Sequence, residues 1–116
     1  MHILSRVTRR TATASLVAAV VALAVAPAQA GSAVTIRIAD DLFSPGSLTV
    51  KKNTPLRFRW VGDSPHDVVA TRGKKKIWSI GLRTKGTVTR TFKSAGTYKL
   101  VCTVHAPDMR ATIKVR

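Results

Sequence analysis

Acidic residues, cysteine, histidine and aromatic side chains are all scarce in this 116-residue sequence. Glutamate is absent, and the five acids are Asp40, Asp41, Asp63, Asp67 and Asp108. No nucleophile–base pair stands out, so covalent and acid–base catalysis have no visible apparatus. One cysteine, Cys102, rules out an internal disulfide. Three histidines are too few for several metal centres. Aromatics at 5% give little to stack on bases, which argues against nucleic acid as a partner. The apolar run from Thr11 to Ala26 falls short of the ~20 residues that a membrane span needs.

What is present begins with the pattern of an exported precursor. Arg6, Arg9 and Arg10 precede that short apolar run, and Ala28-Gln29-Ala30 ends it with a cleavage pattern. Arg9-Arg10 hints at twin-arginine export, but Ala12 and Thr13 lack the bulky apolar pair usual in that signal. Residues 1–30 are therefore expected to be a cleaved secretory signal and residues 31–116 a single small domain, with no stable membrane insertion afterwards. Seventeen lysines and arginines against five aspartates leave that domain at +12. Such a charge favours solubility and acidic partners, anionic envelope polymers among them. An exposed free thiol outside the cytosol is open to oxidation, which favours metal ligation for Cys102 over a free role.

Beyond Ala30 the apolar residues recur at every second position. Val34, Ile36 and Ile38 form one such set; Leu48 and Val50 a second; Leu56, Phe58 and Trp60 a third, with Arg57 and Arg59 on the solvent side. Phe43 is expected in the core between turns at Asp40-Asp41 and Ser44-Pro45-Gly46-Ser47. His66 to Ala70 and Ile77 to Ile80 read as strands, with Thr71 to Lys76 a basic loop and Trp78 a packing residue. Leu82 to Gly86 reads as a connector and Thr87 to Lys93 as an edge strand, because Arg90 interrupts Val88 and Phe92. Tyr98, Leu100 and Cys102 share a face, and Tyr98 just after Gly96 fits a tyrosine corner. Ala111, Ile113 and Val115 close the domain. The expectation is an all-β sandwich of about seven or eight strands, without repeats or a second domain.

The chemistry-bearing stretch is Cys102-Thr103-Val104-His105-Ala106-Pro107-Asp108-Met109. A thiolate, an imidazole and a thioether from one loop are soft or borderline donors, suited to copper and unsuited to magnesium or calcium. His66 is the one remaining histidine outside the extreme N-terminus. Taken singly, each has a plainer reading: a core thiol, a core or loop methionine, a surface histidine before a strand. Zinc could also use Cys102, His66 and His105, although methionine is a poor fourth ligand for it.

From Phe43 to Val115 the chain resembles a small cupredoxin of the bacterial plastocyanin and amicyanin kind. The matching pieces are Phe43-Ser44-Pro45 with Leu48 to Lys52, Leu56 to Trp60, Pro65-His66-Asp67-Val68, and Gly96-Thr97-Tyr98 through Cys102, His105 and Met109. The resemblance implies a Greek-key β-sandwich holding one type 1 copper at one end. His66, Cys102 and His105 would be its ligands, with Met109 the weak axial one. Asp67 stands where the family usually has asparagine; the expectation is either a partial tie between the ligand loops or an added negative charge beside the copper, which would favour Cu(II). Pro107 comes one place later than is common, and Ala111 replaces a frequent glycine.

The implied function is one-electron transfer by a monomer without an enzymatic step. His105 would be the port, ringed by Pro65, Ala106 and Pro107, facing an acidic redox donor or acceptor. Two alternatives are an exported copper carrier and a cationic envelope-binding sandwich that relies on Lys74, Lys75 and Lys76.

Overall fold

In this computed structural model residues 31–116 are described; the expected signal, residues 1–30, lies outside them. The period-two segments become strands because each can bury one face. The clearest is β4 (Leu56–Trp60), in which Leu56, Phe58 and Trp60 are buried while Arg57 and Arg59 are exposed. β4 pairs in parallel with β1 (Val34–Ala39), setting Ile36 opposite Phe58 and Ile38 opposite Trp60. β2 (Leu42–Ser44) folds back on β1, while β7 (Gly86–Arg90) covers the other side of β4. The first sheet is thus β2-β1-β4-β7.

The second sheet contains β3 (Ser47–Val50), β5 (His66–Arg72), β6 (Lys75–Arg83), β8 (Gly96–Val101) and β9 (Arg110–Val115). Its order is β3-β9-β8-β5-β6, with β3 parallel to β9 and the other pairs antiparallel. The chain changes sheet after β2, β3, β4, β6 and β7, which interleaves the two layers as a Greek-key β-sandwich. Between the layers lie Ile36, Ile38, Leu56, Phe58, Leu100 and Ile113, each fully buried. Burial of such a side chain contributes about 1.5–3 kcal/mol.

Several boundaries differ from the sequence reading. Nine strands form among the described residues, the additional one being β2, whose three residues between two turns are too few to show alternation. Phe43 on β2 is buried, as expected. The basic loop expected over Thr71–Lys76 is instead a tight hairpin, with Gly73 at φ 58 turning β5 directly into β6. The Leu82–Gly86 connector shortens because β6 continues to Arg83 and β7 begins at Gly86. β7 is an edge strand as expected, but it stops at Arg90, and Phe92 enters the core from the segment after it. Tyr98 does form its corner: its hydroxyl donates to Ser94 O at 2.6 Å.

Candidate metal centre

Cys102 directly follows β8, and its backbone N–H donates to Met109 O at 3.0 Å, so the loop between them closes on itself. A single 3₁₀ turn (Thr103–His105) then carries the chain outward. Inside the loop His105 N–H donates to Cys102 O at 3.2 Å, and the N–H groups of Asp108 and Met109 both donate to His105 O. The spacing from Cys102 to Met109 thus corresponds to a self-bonded loop rather than a loose connection.

His66 arrives from a different part of the fold. It begins β5, is fully buried, and its carbonyl accepts the indole N–H of Trp60 at 2.9 Å. The β5–β6 register shifts between His66 and Val68, placing a bulge beside it; bulges commonly re-aim a side chain next to a functional site.

The two imidazoles meet at the thiol. His66 Nδ1 lies 3.8 Å and His105 Nδ1 3.7 Å from Cys102 Sγ, and donor atoms of the three residues all lie within 4.8 Å of one another. Bonds of about 2.0–2.1 Å to imidazole and about 2.3 Å to thiolate, spread by about 110–120°, put such donors about 3.6–3.8 Å apart. One metal ion therefore fits between them. Met109, 1% exposed, closes the same loop, and Cys102 is fully buried. All four sequence-identified residues are brought to one end of the sandwich, where they are positioned as a type 1 copper site.

The surroundings add what the sequence reading missed. Asp40 and Asp41, taken there only as turn residues, face the outer nitrogens of the histidines. Asp40 Oδ1 is 3.3 Å from His66 Nε2, and Asp41 Oδ1 is 2.9 Å from His105 Nε2. Asp40 also accepts the N–H groups of Ser64 (2.9 Å) and Asp63 (3.0 Å). Those backbone donors, with His66 behind them, hold its carboxyl below the ordinary carboxylate range. The approach depends on Gly62, because a Cβ there would fall 2.2 Å from Asp40 Oδ1. The doubled acid in the turn was the only sequence signal for any of this.

Asp67 is more fully engaged than its departure from asparagine implied. One oxygen accepts Thr103 N–H at 2.7 Å and the other accepts the Thr103 hydroxyl, tying the start of β5 to the loop that carries His105. His105 keeps an edge open, its side chain 28% exposed, with Pro65, Ala106 and Pro107 all exposed. Val104 and Leu42 add exposed apolar surface from the ligand loop and β2.

A sequence profile of the cupredoxin-like domain matches residues 12–115. The chain belongs to that family. A cupredoxin-like domain accounts for the fold, the position of Cys102 at a strand end and the remote origin of His66. Among solved structures, oxidised plastocyanin from Dryopteris crassirhizoma is 22% identical, covering 72% of this chain and 100% of its own at a TM-score of 0.64. Dithionite-reduced auracyanin from Roseiflexus castenholzii is 16% identical, covering 76% and 99% at a TM-score of 0.61. An amicyanin variant with Cu(I) is 26% identical, covering 72% and 82% at a TM-score of 0.60. No curated protein matches the sequence.

Proposed function

We propose that this cupredoxin is an exported copper protein that passes single electrons between redox partners, with His66, Cys102 and His105 as ligands and Met109 as the weak axial ligand. The observation that carries the reading is the buried meeting of two Nδ1 atoms with one thiol at 3.7–3.8 Å, on a loop that Met109 closes. A bound copper would supply a Cu(I)/Cu(II) couple with a thiolate bond. The chain contributes an arrangement that does not have to move when that charge changes. Trp60 fixes the carbonyl of His66, Asp67 fixes Thr103, and the Cys102–Met109 backbone bond fixes both ends of the loop. Burial of Cys102, His66 and Met109 keeps water from three of the four donors. His105 alone reaches the surface, so electrons enter and leave over its edge.

The reading includes cleavage after Ala30, a mature chain of residues 31–116, a periplasmic or extracellular, cell-envelope-associated location and a monomeric state. The partner is an acidic redox protein, drawn at long range by the excess of lysine and arginine. The surface around His105 has the small apolar character that suits brief redox encounters.

The deciding experiment is a visible absorption titration of residues 31–116 with Cu(II), beside Cys102→Ser. An intense blue thiolate-to-copper band is expected, bleached reversibly by reductant and absent in the variant. Folded, thiol-reduced protein without that band would end the electron-transfer reading. Fast copper exchange alongside slow redox turnover would favour the carrier alternative.

A further inference from the structure

Asp40 and Asp41 make the two-residue turn between β1 and β2, closed by the Ala39–Leu42 pair. The turn belongs to the four-stranded sheet, whereas His66 starts a strand of the five-stranded one and His105 leaves it. The two carboxylates cross that divide and divide the histidines between them: Asp40 at Nε2 of His66, Asp41 at Nε2 of His105. On the other side of each ring, Nδ1 faces Cys102 Sγ. A neutral imidazole has a single N–H, and a carboxylate against Nε2 favours placing it there. Nδ1 is then left with the lone pair that a metal needs.

The two aspartates differ in what else they hold. Asp40 also accepts two backbone N–H groups from the segment leading to His66, so its loss disturbs that segment as well. Asp41 has 69% of its side chain exposed, and among the described residues its ion-pair contact is to His105. Its φ of 65° is one that aspartate tolerates and glycine adopts freely.

We propose that Asp41 is a positioning residue of the metal site. It sets the tautomer and orientation of His105 from outside, and it places a negative charge on the one ligand that reaches solvent. The proposal rests on the copper reading for its redox consequence, but not for its effect on the ring. Carboxylates behind metal-ligating imidazoles raise ligand basicity, and their loss typically costs about 10–100-fold in metal affinity. The added charge favours Cu(II) over Cu(I), so its removal raises the reduction potential.

The test compares the purified exported protein with Asp41→Gly and Asp41→Asn. Glycine removes the carboxylate while suiting the backbone; asparagine keeps an acceptor oxygen without the charge. Imidazole ¹⁵N shifts of the metal-free proteins at about pH 8 are expected to show His105 protonated on Nε2 in the parent. In Asp41→Gly the tautomers should mix, in Asp41→Asn only partly so, and His66 should stay as it was. With Cu(II) as the probe, Kd should rise about 10–100-fold in Asp41→Gly and less in Asp41→Asn. Each tenfold loss of Cu(II) over Cu(I) binding corresponds to about 59 mV in potential. An unchanged tautomer, Kd and potential in Asp41→Gly would overturn the proposal, even if stability falls, because Asp41 would then be a turn residue alone. If the parent shows no Cys102-dependent copper band, the copper reading fails, while the ¹⁵N shifts still decide whether Asp41 governs the ring.

Discussion

At the end of the sandwich that carries Cys102, the two sheets are joined by polar contacts: Asp40 to Ser64 and His66, Trp60 Nε1 to the carbonyl of His66, Asp41 to His105. About 20 Å away, at the far end of β5, the joints are aromatic. Trp78 meets Phe58 edge-on at 5.5 Å and Phe92 at 5.3 Å, and Phe92 stacks on Tyr98 at 4.0 Å. The Arg72 guanidinium caps that row 5.8 Å from the Tyr98 ring centroid. The charges divide in the same way. Four of the five aspartates sit in the turns and loops of the metal end and the fifth, Asp67, at the start of β5 beside them, and both ion-pair contacts among the described residues are aspartate–histidine. Arg72, Lys75 and Lys93 line an open cleft of about 590 Å³ at the other end without a carboxylate among its lining residues.

The contrast separates two tasks. Aromatic packing buries area without demanding a particular donor direction, so it can carry stability. Carboxylates and indole N–H groups contribute little net stability each, but they fix directions, which is what a ligand set requires. If this division holds, damage at the far end should lower stability and leave copper spectroscopy alone, while damage at the metal end should disturb the ligand residues and cost less stability.

The largest effect expected is from Phe92→Ala. Phe92 is 2% exposed and touches both Trp78 and Tyr98, so truncation should cost about 3–5 kcal/mol. Urea unfolding of the metal-free protein measures it. The blue band of the folded fraction should keep its position; a moved band would mean that the two ends are mechanically coupled and the division is wrong.

Gly62→Ala attacks the other end and should do so more mildly. Its Cβ would lie 2.2 Å from Asp40 Oδ1 and 2.7 Å from Asp40 N, so the β1–β2 turn must move. Overpacking of this kind costs about 1–3 kcal/mol. Unlike Phe92→Ala, it should also displace the His66 ring signals, since Asp40 contacts that ring. A stability loss with unmoved His66 signals would show that the turn carries no information to the site.

The two ends were also unequally legible. Alternation in Leu56 to Trp60 is written in five consecutive residues, and Cys102, His105 and Met109 fall within one loop whose spacing is itself the signal. Tyr98 beside Gly96 foretold a bond only four residues long. By contrast, Asp40 meets Ser64 and His66 across separations of 24 and 26 residues. Those contacts exist because β1 and β4 pair in parallel and bring both of their ends together. Nothing local encodes that pairing. The tight β5–β6 turn escaped for a different reason: both strands were legible at their centres, but the start of β6 at Lys75 and Lys76 is exposed and its lysines look like those of a loop.

The smallest effect concerns acid. The Asp40 carboxyl is held below its ordinary value of 3.8, mainly by the N–H groups of Ser64 and Asp63 that bind its charged form. Below the ordinary carboxylate range the unfolded chain binds this proton more readily than the folded one. The stabilisation is therefore complete above about 3.8 and is lost as pH falls toward the lowered folded value. Because Asp40 is open to solvent, screening keeps the contribution small. Asp40→Asn should flatten that acid limb in urea titrations of the metal-free protein, and the flattening should track the His66 ring signals rather than those of Tyr98. An acid limb identical in parent and variant would mean that the turn is held by its backbone alone. The polar character of the metal end would then owe nothing to the Asp40 charge.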